Sequence, residues 1–205
     1  MITEIEEHIK EIQDRLRPLP AWSVALFSAA CAERLSGVYE QFTAQNGWDC
    51  YPKIRRILDS CWEVLAGQNQ FTGELKAFLP ELPQYVPHGD DFTSLLGVGA
   101  QDFAACLESA IKWILNAPNA RYGAPHYSLE CLYDSVVRGL LDVPSVDNPN
   151  SRIEAYVTGD PAIAKEFSAQ EAILRILEEN VEITRQVVDS IRNSAVENRQ
   201  RVGKT

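Results

Sequence analysis

Long apolar runs are missing from this chain of 205 residues. None approaches the roughly 18 consecutive apolar residues that crossing a bilayer requires, because charges or prolines interrupt each one. The N-terminus alternates apolar and acidic residues, whereas a secretory signal begins with basic residues and continues as an unbroken apolar stretch. We therefore expect a protein that does not cross a membrane, is not exported and works in the cytoplasm.

Histidine and paired cysteines are also scarce. The chain has three histidines and no Cys-x-x-Cys motif, and its five cysteines are odd in number and widely spaced. Most of them lie in apolar helical segments, which predicts buried free thiols in a reducing compartment rather than a disulfide scaffold. A zinc site would need distant parts of the fold to converge, so we expect neither a metal nor another cofactor.

Positive charge is the third deficit. The formal net charge of -10 argues against nucleic acid as a partner, because binding to phosphate backbones is driven by clustered Lys and Arg. Between Ile57 and Ile111 the one basic side chain is Lys76, which leaves a net charge of -7 against eight acids. These acids are Asp59, Glu63, Glu74, Glu81, Asp90, Asp91, Asp102 and Glu108.

This acidic segment has two interpretations. A solvated acidic face keeps many cytoplasmic proteins in solution, and a docking face for a basic protein has the same composition. The last fourteen residues have the opposite charge, with Arg192, Arg199, Arg201 and Lys204 against Glu197. We predict a basic, flexible tail over 196–205.

Helical periodicity covers most of the chain, and neither strand-like alternation nor a repeat is present. The sequence therefore predicts an all-α fold, a single-domain multi-helix bundle over 1–205. The predicted helices cover 2–16, 21–35, a short stretch between Gly37 and Gly47, a segment after Asp49 with Pro52 in its first turn, a turn around Leu75, 99–116, 128–141 and 151–158. Loops are predicted from Pro80 to Asp91 and around Tyr122, His126 and Tyr127.

The longest predicted element is at the C-terminus. Asp160 followed by Pro161 is a strong helix start, and apolar residues continue at heptad spacing to Ala195. Some 35 helical residues would form a rod of roughly 50 Å. Such a helix could dimerise through its apolar stripe, so a homodimer is one hypothesis.

No motif amounts to a catalytic site. His8 has Glu4 and Glu11 nearby on the exposed side of the first helix, but a second such motif for a di-metal centre is missing. A cysteine nucleophile would need His88 or His126, and most cysteines lie on core-like faces. Gly97-Val98-Gly99 has neither the preceding strand nor the Gly-Lys-Ser of a phosphate loop.

Two polar features keep two explanations each, and one tryptophan is a candidate contact residue. Asp90 and Asp91 either cap the helix that follows or bind a cation. Arg55 and Arg56 either form ion pairs, for example with Asp59, or hold an anion. Among the four tryptophans, Trp48 follows a glycine in a loop and is the one predicted to be exposed as an interface anchor.

Three segments resemble a known family. They are Leu19–Trp22 through Cys31–Leu35, Tyr51–Asp59 with Trp62-Glu63, and Gly89–Phe92. These resemble the YjaG-like bacterial proteins, domain-of-unknown-function family 416, and the segment from Asp160 to Ile191 is similar to that family's C-terminal helix. The resemblance covers about two thirds of the chain and implies a cytoplasmic, all-helical bacterial protein, with no catalytic residues to transfer.

The leading functional hypothesis is a non-catalytic, acidic binding module for a basic protein. Its sharpest form is an immunity or antitoxin-like protein that neutralises a basic toxin, because an acidic face captures basic enzymes quickly. The alternatives are a helical pocket protein or enzyme for a small molecule, built from His88, Asp90, Asp91 and Arg55 or Arg56, and a dimeric housekeeping scaffold. The predicted partner surface comprises Trp48, Asp59, Glu63, Glu74, Glu81, Asp90, Asp91 and Tyr122.

Overall fold

The chain forms α-helices and two short 3-10 turns, and no strand occurs in the part that the structure describes. The structure is a computed structural model that describes residues 2–88, 92, 94–117, 119–141, 149–180 and 182–200, without the side chains of 139–141 and 149–152. The all-α prediction is confirmed. The helices are α1 (Thr3–Leu16), α2 (Ala21–Asn46), α3 (Tyr51–Leu65), α4 (Thr72–Phe78), α5 (Leu95–Ile114), α6 (Ala124–Leu141), α7 (Pro149–Thr158), α8 (Pro161–Glu179) and α9 (Arg185–Glu197).

Helix α2 runs through the centre of the fold. It packs along α5 and also contacts α3, α6, α8 and α9. The sequence prediction of a break at Gly37 was wrong, because α2 continues to Asn46 and Gly47 caps it with φ 66°. A glycine inside a helix costs roughly 1 kcal/mol. Burial on both sides of Gly37, including Leu35 and Val38, outweighs that cost.

Helix α1 covers the outside of the bundle with one apolar stripe. Ile5, Ile9, Ile12 and Leu16 are buried, as the 3-4 spacing predicted. The same spacing places the acidic residues of α1 on the opposite side. None of the described helices is long and apolar enough to span a membrane.

Helices α5 and α6 both begin earlier than predicted. Ser94 caps α5 by accepting a hydrogen bond from the Gly97 N–H at 3.1 Å. Gly99 then lets α5 approach its neighbours, because a Cβ there would lie 2.6 Å from Val38 Cγ1 and 2.7 Å from Cys131 Sγ. Helix α6 begins at Ala124, with Pro125 in its first turn, where a missing N–H costs little. His126 and Tyr127, predicted in a loop, are therefore helical.

The C-terminal rod is two helices rather than one. Asn180 has an extended backbone (φ -111°, ψ 108°), its side chain donates to the Ile176 carbonyl at 2.7 Å, and Thr184 caps α9. The predicted continuity from 160 to 195 was therefore wrong. The sequence looked continuous because both helices bury apolar residues in the same core and the apolar spacing is the same on both sides of the break. The stripe that was expected to dimerise is thus buried within the chain, at Ile163, Leu174, Leu177, Val188, Ile191 and Ala195.

Candidate functional site

The acidic segment does not form a free acidic face. Asp59 lies 2.7 Å from Arg55 and also bonds Arg192, and Glu74 lies 2.8 Å from Arg56. Glu81 and Glu63 are paired as well, with Lys53 at 2.8 Å and with Arg185 at 3.6 Å. The basic partners come from outside the counted segment or from its flank, so a sum over sequence overstated the local charge. Each of these four predicted contact residues thus has a basic partner within the chain, at hydrogen-bond distance for Asp59, Glu74 and Glu81 and at a longer distance for Glu63.

Trp48 and Tyr122 pack against other aromatic rings. Trp48 is half-buried, with ring centroids 5.2 Å from Phe42 and 5.5 Å from Phe92 in edge-on geometry. The predicted exposure of Trp48 was therefore wrong, because the loop after Gly47 folds back onto the core. Tyr122 is half-buried with its ring 5.0 Å from that of Trp113.

The small-molecule pocket of the alternative hypothesis does not form from those of its residues that the structure describes, which are Arg55, Arg56 and His88. Arg55 points at Glu33 and Asp59, and Arg56 is an exposed side chain paired with Glu74. His88 instead lines a surface depression with Leu82, Pro83, Val86, Gln101, Ala104, Ala105 and Glu108. Asp90 and Asp91 lie outside the described residues. Of the two explanations for Arg55 and Arg56, ion pairing is the one that the structure shows.

A buried carboxylate, which sequence reasoning missed, joins three parts of the fold. Glu33 on α2 is fully buried and accepts hydrogen bonds from Arg55 at 2.7 and 2.8 Å, from the Trp62 indole at 2.9 Å, and from Arg199. Burial alone would raise the pKa of Glu33, but the hydrogen bonds and positive charges of Arg55 and Arg199 lower it. Glu33 is therefore ionised at neutral pH and anchors α3 and the C-terminal residues.

The next residue forms a second buried ion pair. Arg34 donates to both carboxylate oxygens of Glu166, at 2.7 Å from Nη2 and 2.9 Å from Nε, and both side chains are almost fully buried. Gln170 extends this network from Glu166 to His8, with bonds of 3.2 Å to each. Arg34 Nη1 has no hydrogen-bond partner in the described structure. Adjacent opposite charges inside an apolar run were the sequence signal for both pairs.

Residues 198–200, here called the C-terminal clasp, close over both ion pairs. Arg199 binds Glu33, and the backbone N–H of Gln200 donates to the Arg34 carbonyl at 2.7 Å. The Gln200 side chain donates to Glu166 at 3.1 Å and to the Ser128 carbonyl at 3.3 Å. The part of the predicted basic tail at 196–200 is therefore docked, because buried carboxylates hold it. Residues 201–205 lie outside the described structure.

The titratable interior shows no activated nucleophile among the described side chains. All five cysteines are free, and four are buried. Burial raises the pKa of the Cys31 thiol to about 11 and also raises that of Cys61, Cys106 and Cys131, so each remains a thiol. No group of three or more His, Cys, Asp or Glu in the described part of the chain is arranged to hold a metal ion.

Among the acids that the structure describes, Asp102 on α5 has a strongly raised pKa. It is 5% exposed, and its Oδ2 has no partner within the described structure. Burial, followed by the nearby carboxylates Glu130 and Asp134, raises its pKa to about 8. Asp102 is thus mostly protonated at neutral pH.

We expect Asp102→Asn to remove a pH-dependent loss of stability. The folded pKa lies above the unfolded value of 3.8, so folding takes up a proton and stability falls between pH 3.8 and about 8. The slope is at most about 1.4 kcal/mol per pH unit. Urea unfolding at several pH values in this window should show that the free energy of unfolding of the variant rises relative to that of the wild type as pH increases. A difference between the two proteins that does not change with pH would contradict the raised pKa of Asp102.

Helix α1 presents a row of exposed acids. The helix carries five acids against Lys10 and Arg15, a net charge of -3. Glu4, Glu7 and Glu11 are exposed on the side opposite the buried stripe. Glu4 and Glu7 form no ion pair in the described structure, and Glu11 is 63% exposed at 3.6 Å from Arg15. We call these three residues the α1 acidic face.

A second surface feature is a groove with two indoles, here called the tryptophan groove. It lies where α2 begins, α3 and α5 end, and the connection from α8 reaches α9. Its volume is about 360 Å³, within the range of binding pockets. Its lining comprises Ala21, Trp22, Val64, Leu65, Ala66, Gly67, Trp113, Ile114, Asn116, Ile183 and Arg185. Trp22 and Trp113 lie at helical spacing typical of core residues, yet both are only half-buried.

Three comparisons with known proteins agree with one another. The model of a family described as "Protein of unknown function (DUF416)" matches residues 11–201. The uncharacterized protein YjaG of Escherichia coli (strain K12) is 27% identical over 183 residues, which is 87% of each chain. The crystal structure of a DUF416 family protein from Shewanella baltica OS155 is similar with a TM-score of 0.71, covering 90% of this chain and 92% of that one. At 20% identity this last likeness shows the fold.

Proposed function

This chain belongs to the DUF416 family, whose description assigns no activity, and we propose that it acts by binding a basic protein rather than by catalysis. The observation that carries the proposal is the α1 acidic face. Glu4, Glu7 and Glu11 recur at a spacing of three and four residues, so they form one continuous exposed stripe. The described acids of the 57–111 segment, by contrast, are paired or buried.

Electrostatics supports a basic partner. With a net charge of -10 the whole molecule attracts cations. The exposed acids of α1 concentrate that attraction on one face, since Glu4 and Glu7 form no ion pair in the described structure and Glu11 is 63% exposed. Charge complementarity of this kind mainly raises the association rate. The sharpest form of the proposal remains an immunity or antitoxin-like protein in the cytoplasm that covers the active surface of a basic toxin. The interior supports a non-catalytic role, because its ion pairs and buried thiols are engaged in packing.

The test is capture of the partner by charge-reversal variants. Tagged protein is purified from its native host at low salt, either as the wild type or with Glu4→Lys, Glu7→Lys and Glu11→Lys combined. The matched control combines Asp49→Lys, Glu154→Lys and Glu179→Lys, which are exposed acids elsewhere with no ion pair among the described residues. Both variants change the total charge equally. We expect the α1 variant to lose the partner and the control variant to retain it.

Two results would contradict the proposal. If a stoichiometric partner co-elutes equally with both variants, the α1 acidic face is not its contact surface. If no basic protein co-elutes with the wild type at low salt, the binding proposal itself fails. A partner that arrests growth when produced alone, and not when produced with this chain, would establish the immunity form. A partner that is harmless alone would refute that form and leave the binding proposal intact.

A further inference from the structure

The tryptophan groove leaves the side chains of Trp22 and Trp113 only half-buried. The Trp113 N–H donates to the Arg121 carbonyl at 3.1 Å, whereas the Trp22 N–H has no hydrogen bond in the described structure. Val64, Ala66, Ile114 and Ile183 are half-buried around them. Tryptophan is enriched among binding hot spots, because a partner side chain packed on an indole removes a large apolar area from water.

The rim of the groove is acidic. Arg185, whose side chain is 56% exposed, lies 3.6 Å from Glu63 and 3.8 Å from Asp189, both longer than a hydrogen bond. Glu182 is exposed next to Ile183 in sequence and forms no ion pair within the described residues. Two acids therefore flank one loosely held base, and a third acid, Glu182, precedes the lining residue Ile183 in sequence. An incoming cation could pair with Glu63 or Asp189 at little cost.

We propose that the tryptophan groove binds an amphipathic basic segment of a protein partner. An apolar side chain of that segment fills the space against Trp22 and Trp113, and its Lys or Arg side chains pair with Glu63, Glu182 and Asp189. The inference rests on the proposed function, since it names the kind of partner and a second contact surface. Charge complementarity at the rim and the indoles in the wall together select this occupant over an anionic or purely polar one.

The experiment uses a defined helical peptide rather than the native partner. The probe is made of Leu and Lys with Leu at helical spacing, and a second peptide has the same composition in scrambled order. Calorimetry gives the affinity, and indole fluorescence reports on the groove. The test variants are Ile183→Glu and Ala66→Arg, two independent lining positions, and the control is Val196→Glu, an apolar residue on α9 that is 39% exposed. Melting temperatures confirm that each variant folds.

We expect one amphipathic peptide to bind per chain, with a fluorescence change that Trp113→Phe reduces. Each lining variant should weaken binding about tenfold or more, and Val196→Glu should leave it unchanged. The inference is overturned if the scrambled peptide binds as tightly, if all three variants weaken binding equally, or if the amphipathic peptide does not bind. Partner capture by the α1 variants is independent of these outcomes, so failure of the groove and failure of the proposed function can be told apart.

Discussion

Replacing Arg34 with methionine is expected to lower the free energy of unfolding by about 3–5 kcal/mol. Arg34 is 0% exposed and Glu166 is 3% exposed. The guanidinium of Arg34 donates hydrogen bonds to both carboxylate oxygens of Glu166. Methionine fills much of the same volume but leaves a buried carboxylate without its counter-charge. Urea unfolding monitored by far-UV circular dichroism measures the loss.

The matched control removes both charges. Because the desolvation cost of a buried pair offsets much of its attraction, Arg34→Met combined with Glu166→Met should be within about 1–2 kcal/mol of the wild type. Gln170 and Gln200 keep other acceptors in the double variant, at Ser128 and its neighbours. A double variant as unstable as Arg34→Met would mean that packing, rather than the unpaired carboxylate, causes the loss.

Glu33→Gln is expected to lower the free energy of unfolding by about 3 kcal/mol at neutral pH. The amide keeps the shape of the side chain but removes the charge that Arg55 and Arg199 share. Arg55 retains Asp59 at 2.7 Å, whereas Arg199 has no other ion pair among the described residues. The C-terminal clasp should therefore loosen, which faster amide exchange at Gln200 would report.

The pH dependence of this loss follows from the lowered pKa of Glu33. A carboxyl group with a folded pKa below its unfolded value adds stability above the ordinary pKa of 4.5, and that stability is lost as pH falls through the folded pKa. The difference between wild type and Glu33→Gln should thus be constant at neutral pH and shrink only in the acid range below 4.5. A difference that does not change with pH would contradict the account.

Periodicity predicted the helices well where each helix buries one face. The stripe of α1, the start of α3 and the family resemblance all followed from local residues, and the family is shown by the match over 11–201. The same patterns could not locate breaks. The glycine at position 37 indicated a break that does not occur, and the sequence around Asn180 indicated no break where one does occur. Packing of the surrounding residues, rather than the local signal, decided both cases.

The site was less predictable because ion pairs join residues that are distant in sequence. The count of acids from 57 to 111 was correct, but Arg185, which pairs with Glu63, and Arg192, the second partner of Asp59, come from α9, more than a hundred residues away. Trp22 and Trp113 carry a helical period that fits a core or a groove equally well. They line a groove because the ends of several helices meet around them.

The association rate of this chain with its captured partner, measured against salt, tests the central claim most directly. Between about 20 and 500 mM NaCl the Debye length falls several-fold, so steering by the α1 acidic face should weaken. The account predicts an association rate that falls at least tenfold for the wild type, and a much flatter dependence for the variant with Glu4, Glu7 and Glu11 reversed. Equal salt dependence in both proteins, or none in the wild type, would contradict it.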